Sequence, residues 1–200
     1  MITNHDIREA ARASLQGRWT NAVVTTLVFA ILSCLLSLIP YATVLISLLV
    51  VTPLGYGLTY ASYLYFQKKD DNMLDNMFKY GFNSSYLKYI VVALLSFVLV
   101  MIGLCLLVVP GIILSIGFVL VPYLLVERPE LSSTEILMES WNMMKGHKAQ
   151  FFWLMLSFIG WMLLCVLSLG IGYFWLAPYM YMAQNKFYEE LTKVDVILGE

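Results

Sequence analysis

Few residues of this chain have the types and spacing that catalysis requires. The two histidines, His5 and His147, lie in separate polar segments, far from the adjacent carboxylates Asp70-Asp71 and Glu189-Glu190. The three cysteines are distributed over three apolar stretches and form no CxxC pair, so neither a metal site nor a redox site is predicted. No motif for holding phosphates or dinucleotides, or for activating a nucleophile, is present. The sequence predicts no catalytic residue, no metal, no cofactor and no enzymatic activity.

Residues that interrupt helices indicate a different chemistry. Pro53, Gly55 and Gly57 follow one another in an apolar stretch, and similar residues recur further along the chain at Pro110, Gly111, Pro122 and Pro178. In membrane carriers, broken helices expose backbone carbonyls to a solute, so these seven are candidates for helix breaks along a solute path. Polar side chains that are available along such a path are Thr52, Thr59, Ser62, Gln184 and Asn185. The alternative is that the breaks only permit close helix packing.

The elements that carry these residues lack charge over long distances. No Lys, Arg, Asp or Glu occurs in residues 19–67, 89–126 or 149–185, and the chain is 60% hydrophobic and 12% charged. Soluble domains are roughly 25% charged, and a charge at the bilayer centre costs a few kcal/mol. The pattern predicts a polytopic membrane protein. The net charge of −1 and the lack of a basic, aromatic-rich stripe argue against a nucleic-acid partner.

Each charge-free stretch is long enough for two spans of about 20 residues. We expect breaks at Pro40-Tyr41-Ala42, at Pro110-Gly111 and at residues 169–172. The predicted fold is an all-α membrane helix bundle that forms one domain over residues 1–200. Its six transmembrane helices form three hairpins, with spans near 20–39, 43–66, 89–109, 112–127, 150–168 and 173–188. The fourth is short, so a re-entrant helix is the alternative there.

The basic residues set the predicted orientation. All twelve Lys and Arg fall in the four polar segments that flank the charge-free stretches. With two spans per stretch these segments share one face, which the positive-inside rule assigns to the cytoplasm. Both termini are then predicted to be cytoplasmic.

Short amphipathic helices are predicted within the polar segments, near residues 6–17, 73–79 and 132–146. In the last, Ser132 and Glu135 form a capping-box pattern, and an apolar stripe follows at Ile136, Leu137, Trp141 and Met144. These four residues either dock another membrane or cytoplasmic protein or pack against the bundle itself. Gly17, Gly81 and Gly146 recur 64 and 65 residues apart, which suggests three copies of a surface helix, a glycine and two spans.

Several segments have a family-like pattern: 109–113 (VPGII), 140–148 (SWNMMKGHK), 151–161 (FFWLMLSFIGW), 169–172 (LGIG), 178–188, and 10–19, which ends in LQGRW. Through them the chain resembles a bacterial integral membrane family catalogued as domain of unknown function 975. It also resembles, distantly, the membrane domain attached to some bacterial glycerophosphodiester phosphodiesterases. The resemblance implies a multi-pass protein of the bacterial cytoplasmic membrane and supplies no catalytic residue.

Two functions remain after this reasoning. The first is a non-enzymatic membrane protein that organises or binds membrane components, with the lipid bilayer as its partner, through its cytoplasmic face. The second is a carrier or flippase for an apolar or lipid-like solute, because no charge at membrane depth is available to couple an ion.

Overall fold

The structure is a computed structural model that describes residues 3–37, 43–83 and 85–198. All regular structure within these ranges is helical, as predicted for the fold class. The predicted break at Pro40-Tyr41-Ala42 lies outside the described residues.

The helices, in chain order within the described ranges, are α1 (Asn4–Leu15), α2 (Trp19–Ser37), α3 (Thr43–Ile46), α4 (Thr52–Phe66), α5 (Met73–Gly81), α6 (Tyr86–Leu106), α7 (Val108–Gly117), α8 (Val121–Glu127), α9 (Ser133–Met143), α10 (Lys148–Leu156), α11 (Ile159–Leu167) and α12 (Tyr173–Leu198). A π-helical segment, Ser47–Val51, joins α3 to α4.

Four helical stretches are long and apolar enough to cross a membrane: Trp19–Leu36, Tyr86–Leu106, Val108–Glu127 and Lys148–Leu167. Most of their residues face outward: only 17% of the first and last stretches and 22% of the second are buried inside the protein. Apolar surface this extensive is not stable in water, which makes lipid its natural environment. The chain therefore has the character of a membrane protein.

The other two predicted spans, 43–66 and 173–188, correspond to α3–α4 and the first part of α12, and they are not among these four. Their first residues are exposed, but α4 and the part of α12 that begins at Leu176 pack against other helices. Eight of the fifteen α4 residues are buried, and α12 packs on α1, α2, α4 and α11. A helix enclosed by other helices does not need a lipid-compatible surface, which explains the tyrosine, serine and glycine content of α4.

The second charge-free stretch turns earlier than predicted. The reversal occurs at Leu107, whose backbone is extended (φ −165°, ψ 151°), whereas Pro110 and Gly111 lie in the first turns of α7. Proline lacks only an N–H that the first turn of a helix leaves unbonded anyway, so Pro110 continues the helix there. Because the turn is at Leu107, the stretch after it has 20 residues, which is sufficient length for a span.

The predicted surface helices form as α1, α5 and α9. Ser132 caps α9, and Ser132 and Glu135 form the expected reciprocal capping box. Gly17 and Gly146 follow helix ends with φ of 75° and 83°, which glycine adopts without strain. Gly81 differs, because it belongs to α5, and a Cβ atom added to it would lie 3.1 Å from the Pro53 carbonyl oxygen and 3.3 Å from the Leu54 Cα. The three-copy pattern is therefore not uniform at these glycines.

Candidate binding groove

The glycines of the predicted solute path mostly bring helices together. A Cβ atom at Gly57 would lie 2.2 Å from the Met77 carbonyl oxygen and 2.6 Å from the Gly81 nitrogen, so α5 approaches α4 closely only because Gly57 has no side chain. Gly111 is equally tight against Leu104 of α6. Gly55 is different, because its added Cβ would meet only the Phe29 ring, at 3.7 Å. Close packing accounts for Gly57 and Gly111.

Pro53 releases a backbone carbonyl that a tyrosine then satisfies. Helix α4 directly follows the π-helical segment, and Pro53 is the second residue of α4. Having no N–H, it cannot bond the carbonyl of Leu49, four residues earlier. The Tyr86 hydroxyl donates a hydrogen bond to that carbonyl. The Leu49 carbonyl is therefore hydrogen-bonded within the protein and is not left free to bind a solute.

The remaining predicted breaks have different positions. Pro122 is the second residue of α8 and begins that helix. Pro178 lies inside α12, where it is buried and kinks or weakens the helical ladder.

Two residues of the predicted polar path, Ser62 and Asn185, belong to a buried hydrogen-bond network that we call the sealed polar core. The Asn185 amide donates to Ser62 Oγ at 3.0 Å and its oxygen accepts from the Tyr123 hydroxyl at 2.8 Å. All three residues are buried. The Tyr188 ring stacks on that of Tyr123 with a centroid distance of 4.3 Å, and its hydroxyl donates to Glu127 Oε2 at 2.5 Å. These groups bond one another and join α4, α8 and α12.

The four predicted docking residues of the α9 segment lie mostly inside the protein. Ile136, Leu137 and Met144 are buried, and Trp141 is half-buried with the Lys148 ammonium 2.7 Å from its ring centroid. Leu137 and Trp141 also line an apolar cleft of about 410 Å³ between α6, α7 and α9. In the structure, this apolar stripe of α9 packs against the rest of the helix bundle. The apolar side chain that α9 exposes is Met138.

A larger groove lies elsewhere, between α1, the start of α2, α11 and the start of α12. We call it the tryptophan groove; its volume is about 450 Å³ and it is lined by Arg12, Trp19, Trp161, Leu164, Cys165, Ser168, Gly172, Trp175, Leu176 and Tyr179. Three of the chain's five tryptophans line it. Their large apolar rings, each with one N–H donor, suit a ligand that is apolar along most of its length.

A second cavity adjoins the first. We call it the arginine pocket; its volume is about 550 Å³ and it is lined by His5, Arg8, Glu9, Arg12, Ala13, Gln16, Trp161 and Tyr179. Arg12, Trp161 and Tyr179 line both cavities. An apolar cavity thus borders directly on a polar, cationic one.

Helix α1 positions the arginines. Ile7, Ala11 and Leu15, spaced by four residues, are fully buried and fix one face of the helix. The Tyr179 hydroxyl donates to the Arg8 carbonyl at 3.3 Å and ties α1 to α12. Arg8 and Arg12 each follow one of the buried residues, so they form a neighbouring stripe one helical turn apart.

Near the same pocket, His5, Asp6 and Glu9 have ligand atoms within 4.8 Å of one another, although no metal site is predicted from the sequence. All three are exposed. The Asp6 carboxylate accepts from the Thr3 backbone N–H at 3.0 Å and from its hydroxyl at 2.7 Å, which caps α1 and lowers the pKa of Asp6. This capping role accounts for the position of Asp6.

The sequence does not predict the groove. Trp19 and Trp175 are also typical of the aromatic belts that mark membrane boundaries, and Arg8 and Arg12 of the polar face of an amphipathic helix such as α1. None of the seven candidate solute-path residues lines the groove, but Pro178 lies between two residues that do, Leu176 and Tyr179, and Gly172 of the third predicted break also lines it. Only tertiary packing joins tryptophans that are up to 156 positions apart, so the sequence offered no direct signal.

The architecture and the groove define a helical membrane protein with a cavity that is apolar on one side and cationic on the other. Residues 73–195 match the family described as protein of unknown function (DUF975), and because this is more than half of the chain, the protein belongs to that family. No curated protein and no solved structure matches the chain.

Proposed function

We propose that this is a non-enzymatic, multi-pass membrane protein that binds an amphiphilic membrane component in the tryptophan groove. The observation that carries the proposal is the direct contact between the two cavities at Arg12, Trp161 and Tyr179. An amphiphile needs apolar walls for its chain and polar groups for its head, next to each other. The groove supplies both, and a bilayer supplies such molecules.

The proposed setting is the bacterial cytoplasmic membrane, with six spans in three hairpins and both termini in the cytoplasm. The three charge-free stretches and the placement of all twelve Lys and Arg outside them support this topology. In it, α4 and α12 also cross the bilayer, enclosed by the more apolar helices. The arginine pocket then lies on the α1 side, where lipid head groups of the inner leaflet are available.

Lipid bound in the groove should add to the measured mass of the intact protein. Native mass spectrometry of the protein, extracted in mild detergent, should detect a retained phospholipid-sized molecule. Leu164→Trp should fill the groove and lower the occupancy at least tenfold. Leu163→Trp is the matched control, because Leu163 is an exposed neighbour on α11 that does not line the groove. An empty wild-type protein, or equal occupancy in both variants, would contradict the proposal.

A carrier or flippase is the second candidate, and Pro178 favours it. This residue interrupts the hydrogen-bond ladder of α12 within the wall of the groove, between Leu176 and Tyr179. A wall that bends there can open the groove. Reconstituted liposomes should then scramble labelled lipid faster than protein-free controls, and Pro178→Ala should slow scrambling while lipid binding persists. Rates equal to the controls would remove this candidate.

A further inference from the structure

The arginine pocket contains cationic groups without a carboxylate partner in the described part of the chain. The protein has four arginines. Arg18 pairs with Asp71, and Arg128 pairs with Glu139 at 2.5 Å. Arg8 and Arg12 form no such pair with any carboxylate whose side chain the structure describes, although Glu9 lines the same pocket.

This lack of pairing has an energetic meaning. Arg8 is half-buried. Partial burial of a guanidinium removes water from it, and that loss is best offset by an anion. In Arg18 and Arg128 the protein supplies the anion itself. Arg8 has no such partner among the described side chains, so an anion that offsets its partial burial would come from outside the chain, and Arg12, which is exposed, can reach the same anion.

The spacing of the two arginines selects the kind of anion. Guanidinium groups one helical turn apart on a fixed helix can contact different oxygens of one tetrahedral anion, and each offers a planar pair of N–H donors that matches phosphate. Arg12 also lines the tryptophan groove. A phosphate held by Arg8 and Arg12 would therefore carry its apolar chain into the groove lined by Trp19, Trp161 and Trp175.

We infer that the groove selects anionic phospholipids, with the head-group phosphate bound between Arg8 and Arg12. This inference rests on the proposed function and adds the identity of the head group. The negative charge of Glu9 in the same pocket offsets one of the two arginines. The remaining single positive charge favours a ligand with one anionic group over a ligand with several. The ligand comes from the bilayer, because only a molecule with an acyl chain uses both cavities.

The test compares lipid selection in four proteins. Wild-type protein is reconstituted in nanodiscs of phosphatidylcholine with 30% phosphatidylglycerol, and the lipid retained after mild detergent extraction is counted by native mass spectrometry. We expect phosphatidylglycerol to be enriched at least tenfold over its share. Arg8→Gln/Arg12→Gln and the single variant Arg12→Gln should retain lipid but lose most of this enrichment.

The matched control is Lys69→Gln/Lys145→Gln. Both lysines are exposed and lie outside the groove, and the control removes the same net charge from the same proposed face. It corrects for the general attraction of a basic protein surface to anionic lipid. Equal loss of enrichment in the control and in the arginine variants would overturn the inference.

The other outcomes separate the two proposals. Wild-type protein that retains both lipids in proportion to their share would overturn the head-group inference and leave amphiphile binding intact. Wild-type protein that retains no lipid would overturn both. Displacement of bound phosphatidylglycerol by 10 mM inorganic phosphate alone would assign the pocket to a free anion and overturn the lipid part of the inference. Melting temperatures near the wild-type value confirm that each variant is folded.

Discussion

Two glycines of α4, two positions apart, have opposite surroundings. We predict that Gly57→Ala lowers the free energy of unfolding by about 1–3 kcal/mol, because the new methyl group would overlap the α5 backbone, which cannot move aside as a flexible side chain can. Gly55→Ala is the control, since its methyl group makes an ordinary contact with Phe29. That change should be neutral or stabilise by up to about 1 kcal/mol through helix propensity. Unfolding by sodium dodecyl sulfate, followed by circular dichroism, measures both.

The sealed polar core gives a second prediction for single residues. Asn185→Leu leaves the buried Tyr123 hydroxyl without its acceptor and should cost about 1–3 kcal/mol. Adding Tyr123→Phe removes the stranded hydroxyl, so the double variant should be less destabilised than the sum of the two single changes. The Ser62 hydroxyl also donates to the Thr59 carbonyl at 2.7 Å, so it keeps a partner in all three variants. Strict additivity in this cycle would argue against a coupled network.

At the level of single helices, the cap of α9 should be measurable on its own. The Ser132 hydroxyl accepts from the Glu135 backbone N–H, which would otherwise lack a partner. We predict that Ser132→Ala lowers stability by about 1 kcal/mol. Ser133→Ala, one residue into the helix, removes a hydroxyl with no capping role and should have little effect. Equal melting temperatures for Ser132→Ala and wild type would contradict the prediction.

The two capping boxes should also make stability depend on pH. Hydrogen bonds from Thr3 and Ser132 lower the pKa of Asp6 below its ordinary 3.8 and that of Glu135 below its ordinary 4.5. Lowered pKa values in the folded state mean that this stabilisation is present above the ordinary values and is lost as the pH falls through the lowered ones. Asp6→Asn/Glu135→Gln should therefore lower the melting temperature at pH 7, and its difference from wild type should shrink near pH 3. A difference that stays constant with pH would count against these caps.

The helices were predictable from the sequence where nearby residues determine where a helix begins or ends. The pattern of Ser132 and Glu135 predicts the start of α9 correctly, and the charge-free stretches predict the apolar helices. The turn at Leu107 was not predictable, because an apolar residue in an apolar stretch gives no local sign of a reversal, and Pro110 is equally compatible with the first turn of a helix. The packing of α4 and α12 against other helices depends on contacts between distant segments.

At the scale of the whole molecule, the proposed topology predicts which positions reagents can reach. In a variant without the three native cysteines, Asp75→Cys and Glu130→Cys should resist a membrane-impermeant maleimide applied to intact cells. Leu169→Cys should react, because Leu169 is 93% exposed in the turn between α11 and α12. After permeabilisation all three should react. Labelling of position 130 from outside would contradict the proposed arrangement of six spans.

The candidate site depends most on the whole molecule and was therefore the least predictable. Its arginines come from α1, its tryptophans from α2, α11 and α12, and the contacts that join them span most of the chain. The sequence predicts that no charge lies at membrane depth, and it therefore favours an apolar or lipid-like ligand. It does not reveal that Arg18 and Arg128 pair with carboxylates, whereas Arg8 and Arg12 have no such partner among the described side chains.

The reversal at Leu107 has a consequence for how the chain enters its membrane. Between α6 and α7 there is a single residue outside a helix, and it is apolar like its neighbours. In the proposed arrangement of six spans, no hydrated loop has to cross the bilayer between α6 and α7. Because α6 and α7 pack against each other directly across this turn, we expect the two segments to insert together as one helical hairpin.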